Sequence, residues 1–139
     1  MKTENTLITR HTLPEAAPGT SNSPLLKRLF LPQGELAQFY DGSDPIHYLA
    51  FIELKAGTQR GNHFHKQKLE WIYLITGEFL LRAEQVETHE RQSLTVRAGD
   101  LVNIRTGIAH VLDVQQSGQA IEFSPARFDP GDTYRYAVS

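Results

Sequence analysis

The chain has 139 residues, with 14 Lys and Arg against 16 Asp and Glu, and a formal net charge of −2. This balance provides no electrostatic basis for binding nucleic acid or an anionic membrane. The absence of cysteine excludes disulfides, thiolate metal sites and cysteine nucleophiles, and the length suits one domain.

The first residues, MKTENTLITRHTLPEAAPG, lack the apolar segment of a signal peptide. No apolar run approaches the ~20 residues of a membrane-spanning helix, so a soluble cytoplasmic protein is expected. Residues 1–24 are rich in Thr, Pro, Ser and Asn, and Pro and Gly suppress helix there. They read as an extended N-terminal arm, either unstructured or lying along a neighbouring subunit. Residues 25–139 read as the folded domain.

From residue 25 onward, short apolar stretches alternate with turn signals. PLLKRLFL fits a short helix or a strand. ELAQFY is followed by DGSDP, which carries Asp-Gly and Asp-Pro turn signals. HYLAFIEL, EFLLRAEQ, SLTVRAGD, LVNI, TGIAHVLDVQQ and AIEFSPARF follow, broken by Gly-containing turns. Runs of this length and composition predict an all-β sandwich or barrel.

EWIYLITG fixes a face. Side chains alternate along a strand, so if Glu70 points into the barrel, Ile72 and Leu74 do too. Trp71, Tyr73 and Ile75 then point outward, and that face is too apolar for open water. A second sheet from a partner subunit, or the N-terminal arm, is expected to cover it. Near the C-terminus, Phe128, Tyr134 and Tyr136 are expected to pack over the barrel or line its rim.

His63 and His65 are two apart, so on a strand both imidazoles share a face. Glu70 opens the next strand. Far downstream, Ile108, His110, Leu112 and Val114 share another inward face. Three imidazoles and a carboxylate in one place suit a divalent transition metal such as Fe(II), Mn(II), Zn or Ni. The alternative is a set of hydrogen-bonded core histidines. His11, His47 and His89 have no such context and read as surface or loop residues.

These residues resemble the cupin superfamily. Its first motif is Gly, five residues, His-x-His, four residues, Glu, six residues, Gly; Gly57, His63, His65, Glu70 and Gly77 match it. Its second motif is met by Gly99, Gly107 and His110, with Arg105 in place of the usual proline and Val114 in place of the asparagine. Residues 78–98 separate the two. The resemblance implies a double-stranded β-helix, or jelly-roll, barrel. It also implies a metal near one open end, held by His63, His65, Glu70 and His110, and a homodimer. RGNHFHK is similar to the metal-binding cupin domains of some bacterial sugar-nucleotide and capsular-polysaccharide enzymes.

Three functions fit this pattern. The first is a metal-dependent isomerase or epimerase on a small polar, carbohydrate-related substrate. Tyr48, Arg60 and Arg105 are its candidate catalytic residues, with Glu53 a further polar group. Either arginine suits a carboxylate or phosphate, and the plainer reading of both is a solvated rim charge. The second function is an Fe(II)-dependent dioxygenase. The third is a non-catalytic small-ligand-binding or sensor protein.

Overall fold

The computed structural model describes residues 2–4, 7–19 and 24–139. In chain order the strands are β1 (Lys2–Glu4), β2 (Ile8–Thr12), β3 (Glu15–Ala16), β4 (Lys27–Leu31), β5 (Gly34–Gln38) and β6 (Tyr48–Leu54). They continue with β7 (Gln59–Phe64), β8 (Glu70–Gln85), β9 (Arg91–Arg97), β10 (Asp100–Ile104), β11 (Ile108–Ser124) and β12 (Tyr134–Arg135). One 3₁₀ turn, Pro130–Asp132, precedes β12. The architecture is an all-β jelly roll of the cupin type. Among the described residues no helix is long and apolar enough to cross a membrane.

Two long strands organise the molecule. β8 and β11 pair antiparallel along most of their length. The first part of β8 also pairs with β10, and its second part with β9. β11 likewise pairs with β7 early and with β6 late. Both strands therefore serve two layers, and they bend where the register shifts between Val114 and Ala120. Glycine makes the bend possible. A Cβ on Gly118 would lie 1.8 Å from the Thr76 carbonyl oxygen, and one on Gly77 would lie 2.7 Å from that of Gln116.

The core lies between the layers. Ile72 and Leu74, inward beside Glu70 as the alternation predicts, meet Leu54, Phe79, Val102 and Leu112 there. The other face of β11 is buried too. Ala109 and Val111 pack under Val138, Phe64 and Tyr136 of the β7 and C-terminal layer.

The N-terminal region is part of this sheet. β2 pairs with β10 along its whole length, and Leu7 and Ile8 enter the core. The folded sheet thus begins well before residue 25. Residues 1, 5, 6 and 20–23 of the predicted arm lie outside the described residues.

PLLKRLFL resolves into a strand, because β4 pairs with β5 in a separate three-stranded sheet with β3. That region covers the apolar outer face of β8. Tyr73 packs with Leu13, Leu26, Ala37 and Phe39, and its ring stacks on Phe39 at 4.2 Å between centroids. Trp71 stacks on Phe123. Within this chain the face is covered by Leu13 of the predicted arm and chiefly by residues 26–40.

Candidate metal centre

His63 is the last but one residue of β7 and lies opposite β11. The approach is close because residue 61 is glycine: it sits at φ 114°, and a Cβ there would lie 2.5 Å from the His110 carbonyl oxygen. A register shift between His110 and Val111 sets His63 directly opposite His110. His65 follows one residue beyond the strand, and Glu70 enters at the start of β8. The four sequence-predicted ligands thereby converge, with one donor atom from each lying within 4.8 Å of all the others. His65, Glu70 and His110 are buried and His63 is half-buried.

Hydrogen bonds set the two buried rings. His65 Nδ1 lies 2.9 Å from the Asp132 carbonyl oxygen. His110 Nδ1 lies 3.0 Å from that of Ile108. A carbonyl only accepts, so each Nδ1 carries a proton, and in the neutral ring each Nε2 presents a lone pair. Both Nε2 atoms are buried without a hydrogen-bond partner. The nearest carboxylate oxygens of Glu70 stand 3.4 Å from one and 3.7 Å from the other, too far or too poorly aligned to serve. Leaving such atoms unpaired costs about 1–3 kcal/mol each. Three imidazoles and one carboxylate fit a divalent transition metal, which would satisfy both.

Ligands bind metal deprotonated, and His63 and Glu70 are shifted that way. At His65 burial lowers the imidazole, but Glu70 and the Asp132 carbonyl outweigh it and raise it, so a metal there would have to displace a proton. Burial, with His110 and His65 close by, pushes His63 down to about 4. Burial raises the Glu70 carboxyl, but His110, His65 and Lys68 outweigh it and hold the group well below the usual carboxylate range.

The cluster forms the floor of an open cavity of about 360 Å³. Of the candidate catalytic residues, Tyr48 and Arg60 line it. Arg105 is not brought there: it is exposed on the turn between β10 and β11. Closeness to the second motif in sequence does not carry its side chain round to the open end. Glu53 faces outward on β6. Phe128 stacks on Tyr48 at the rim and is 63% exposed, whereas Tyr134 and Tyr136 pack against Phe64.

Three polar residues of this region were not anticipated. Lys68 and Glu122 line the cavity as an ion pair, and Lys68 Nζ sits 4.6 Å from the centre of the Tyr48 ring. Asp132 is buried beside His65. Strand parity carried a signal for one of them: Glu122 shares a face with the buried Ala120 and Ser124, so a charge stood on an inward face. Lys68 lies in a loop with no periodicity to read. Asp132 follows Asp129-Pro130-Gly131, residue types that signal only a turn.

Residues 33–123 match the family model of the polysaccharide biosynthesis C-terminal domain. The chain belongs to that family. Several solved structures resemble this polysaccharide biosynthesis domain. Capsular polysaccharide assembling protein CapF from Staphylococcus aureus is 26% identical with a TM-score of 0.60, over 87% of this chain and 35% of that one. The domain thus spans about a third of CapF. The rmlC epimerase of Mycobacterium tuberculosis aligns with a TM-score of 0.75 at 11% identity, over 97% of this chain and 72% of that one. A 3,4-ketoisomerase from Helicobacter canadensis aligns with a TM-score of 0.69 at 12% identity, over 79% and 86%. At those identities the last two likenesses speak for the jelly-roll fold. No curated protein sequence matches the chain.

Proposed function

We propose that this protein is a metal-dependent isomerase or epimerase acting beside the carbonyl of a keto sugar, most naturally one carried on a nucleotide. The observation that carries the reading is the convergence of His63, His65, Glu70 and His110 at the floor of a cavity that also holds the Lys68–Glu122 pair. The family match and the likeness to sugar epimerases, ketoisomerases and CapF support the substrate class.

His63, His65, Glu70 and His110 would hold a divalent cation, which supplies Lewis acidity toward a carbonyl oxygen. The remaining work falls to side chains of the cavity. Glu122 is the base. Burial and the nearby Glu70 charge raise its carboxyl from the ordinary value against the opposing pull of Lys68, the direction that suits a base working near neutral pH. It takes the proton from the carbon next to the carbonyl. The electron pair of the broken C–H bond forms the enolate, and the carbonyl oxygen takes the charge. Return of a proton from water to the other face of that carbon gives an epimer. Return to the former carbonyl carbon, with transfer of the hydroxyl proton, gives the isomeric ketose. Lys68 holds Glu122 and neutralises charge, and Tyr48 offers a phenolic proton at the same wall. Arg60, exposed at the rim, suits a phosphate of the carrier.

The test combines metal analysis of protein purified without a His tag with incubation in deuterated water beside nucleotide-linked 4-keto sugars. Metal-dependent deuterium incorporation next to the carbonyl, without oxygen uptake, is expected. Oxygen consumption with iron would replace this reading by the dioxygenase. Tight sugar-nucleotide binding without exchange under any metal would replace it by a binding protein.

A further inference from the structure

After the 3₁₀ turn the chain runs back along β7, the strand that carries the His-x-His pair. Tyr134 and Arg135 pair with Phe64 and His63. The Tyr136 amide donates to the Asn62 carbonyl at 3.0 Å. The Val138 amide donates to Asn62 Oδ1 at 3.1 Å, and Arg82 Nη1 donates to the Val138 carbonyl at 3.1 Å. Tyr134 stacks on Phe64, the residue between the two histidines, at 5.2 Å between ring centroids. Residues 129–138 therefore form a strap along the outer edge of the ligand strand.

Asp132 is the inner anchor of this strap. Its carboxylate accepts the backbone amides of Lys66 at 2.8 Å, Gln67 at 3.1 Å and Lys68 at 3.0 Å. Its own carbonyl accepts from His65 Nδ1 at 2.9 Å. One buried residue thus fixes both the ring of His65 and the loop that sets the distance from His65 to Glu70. Carboxylates that accept several backbone amides make strong, directional anchors.

We propose that Asp132 is a positioning residue for the metal centre, and that metal binding and docking of the strap are thermodynamically coupled through it. This rests on the reading of His63, His65, Glu70 and His110 as metal ligands. The coupling is reciprocal: whatever factor the docked strap adds to metal affinity, the metal adds to strap docking. Partners that orient a metal-ligating imidazole in this way are worth about 10- to 100-fold in affinity.

The experiment titrates Co(II) into the full-length protein, followed by its visible absorption, for wild type, Asp132→Ala, Asp132→Asn and His110→Ala. Amide hydrogen exchange at Tyr136 and Val138 is measured with and without Zn(II). Asp132→Ala removes the carboxylate that holds the 66–68 loop and keeps the main-chain carbonyl. It is therefore expected to weaken Co(II) by about 10-fold, the low end for a partner that supports a metal ligand, and to alter the Co(II) spectrum, while near-ultraviolet circular dichroism remains native. Asp132→Asn keeps the shape and one acceptor oxygen, so its loss is smaller; it carries the test if the alanine variant does not fold. Zn(II) is expected to slow exchange at both strap amides in wild type. Folded Asp132 variants that bind Co(II) like wild type, where His110→Ala does not, overturn the coupling; so does strap exchange indifferent to Zn(II). Wild type that takes up no Co(II), or His110→Ala that takes it up normally, overturns the ligand reading itself and the coupling with it.

Discussion

Lys68 and Glu122 are ion-paired across 54 positions of sequence, joining the loop after the His-x-His pair to the far half of β11. The pair faces the cavity beside Glu70, with Lys68 Nζ 3.8 Å from Glu70 Oε1. The ammonium thus sits between a carboxylate of the metal cluster and the carboxylate assigned as base.

Glu122→Gln separates base from ligand. It keeps the size and removes the proton acceptor, so kcat is expected to fall by about 10²- to 10⁴-fold, the usual worth of a positioned acid or base. Bound metal per chain, read by elemental analysis, stays at the wild-type level. Full turnover in this variant would remove Glu122 from the mechanism.

Replacing His63 and His110 together by alanine takes away two of the four converging donors. Metal content of the purified variant should drop to background, with sugar turnover lost alongside it. Bound metal at the wild-type level in the double variant would show that the ion sits elsewhere.

The outer end of the strap predicts a pH effect. The Tyr136 hydroxyl and His89 hold the Glu84 carboxyl below its ordinary 4.5. A carboxyl lowered in the folded state contributes stability above its unfolded pKa, and that contribution is lost as pH falls through the folded value. Tyr136→Phe removes the stronger of these two donors. The Glu84 titration followed by NMR is then expected to move upward, and the acid-unfolding midpoint to move upward with it. An unchanged Glu84 titration would mean that the hydroxyl does not govern this carboxyl.

Gly118→Ala tests the bend shared by the two long strands. Its new methyl group would meet the Thr76 carbonyl oxygen at 1.8 Å, and backbone must move to relieve that contact. The expected loss is at least about 1–3 kcal/mol, the usual cost of overpacking, read from the urea midpoint. An unchanged midpoint would show that β8 and β11 separate freely here.

Much was decided by residue pattern alone. Short alternating stretches specify strands, because a pleated chain half-buried on one face needs that period. The spacing of Gly57, His63, His65, Glu70 and Gly77 identified the ligand strand and the one that follows, and the alternation in EWIYLITG correctly turned Glu70, Ile72 and Leu74 inward. What needed the tertiary structure were relationships between distant segments. No local period signals that residues 26–40 cover Trp71 and Tyr73, that Lys68 meets Glu122, or that Asp132 grips the loop after His65. Arg105 stands within the second motif yet is exposed and does not line the cavity that Arg60 reaches. The reason is the jelly-roll topology: it pairs strands far apart in sequence, so neighbours in space are set by crossovers and bends, while the sequence pattern reports only which face of its own strand each side chain occupies.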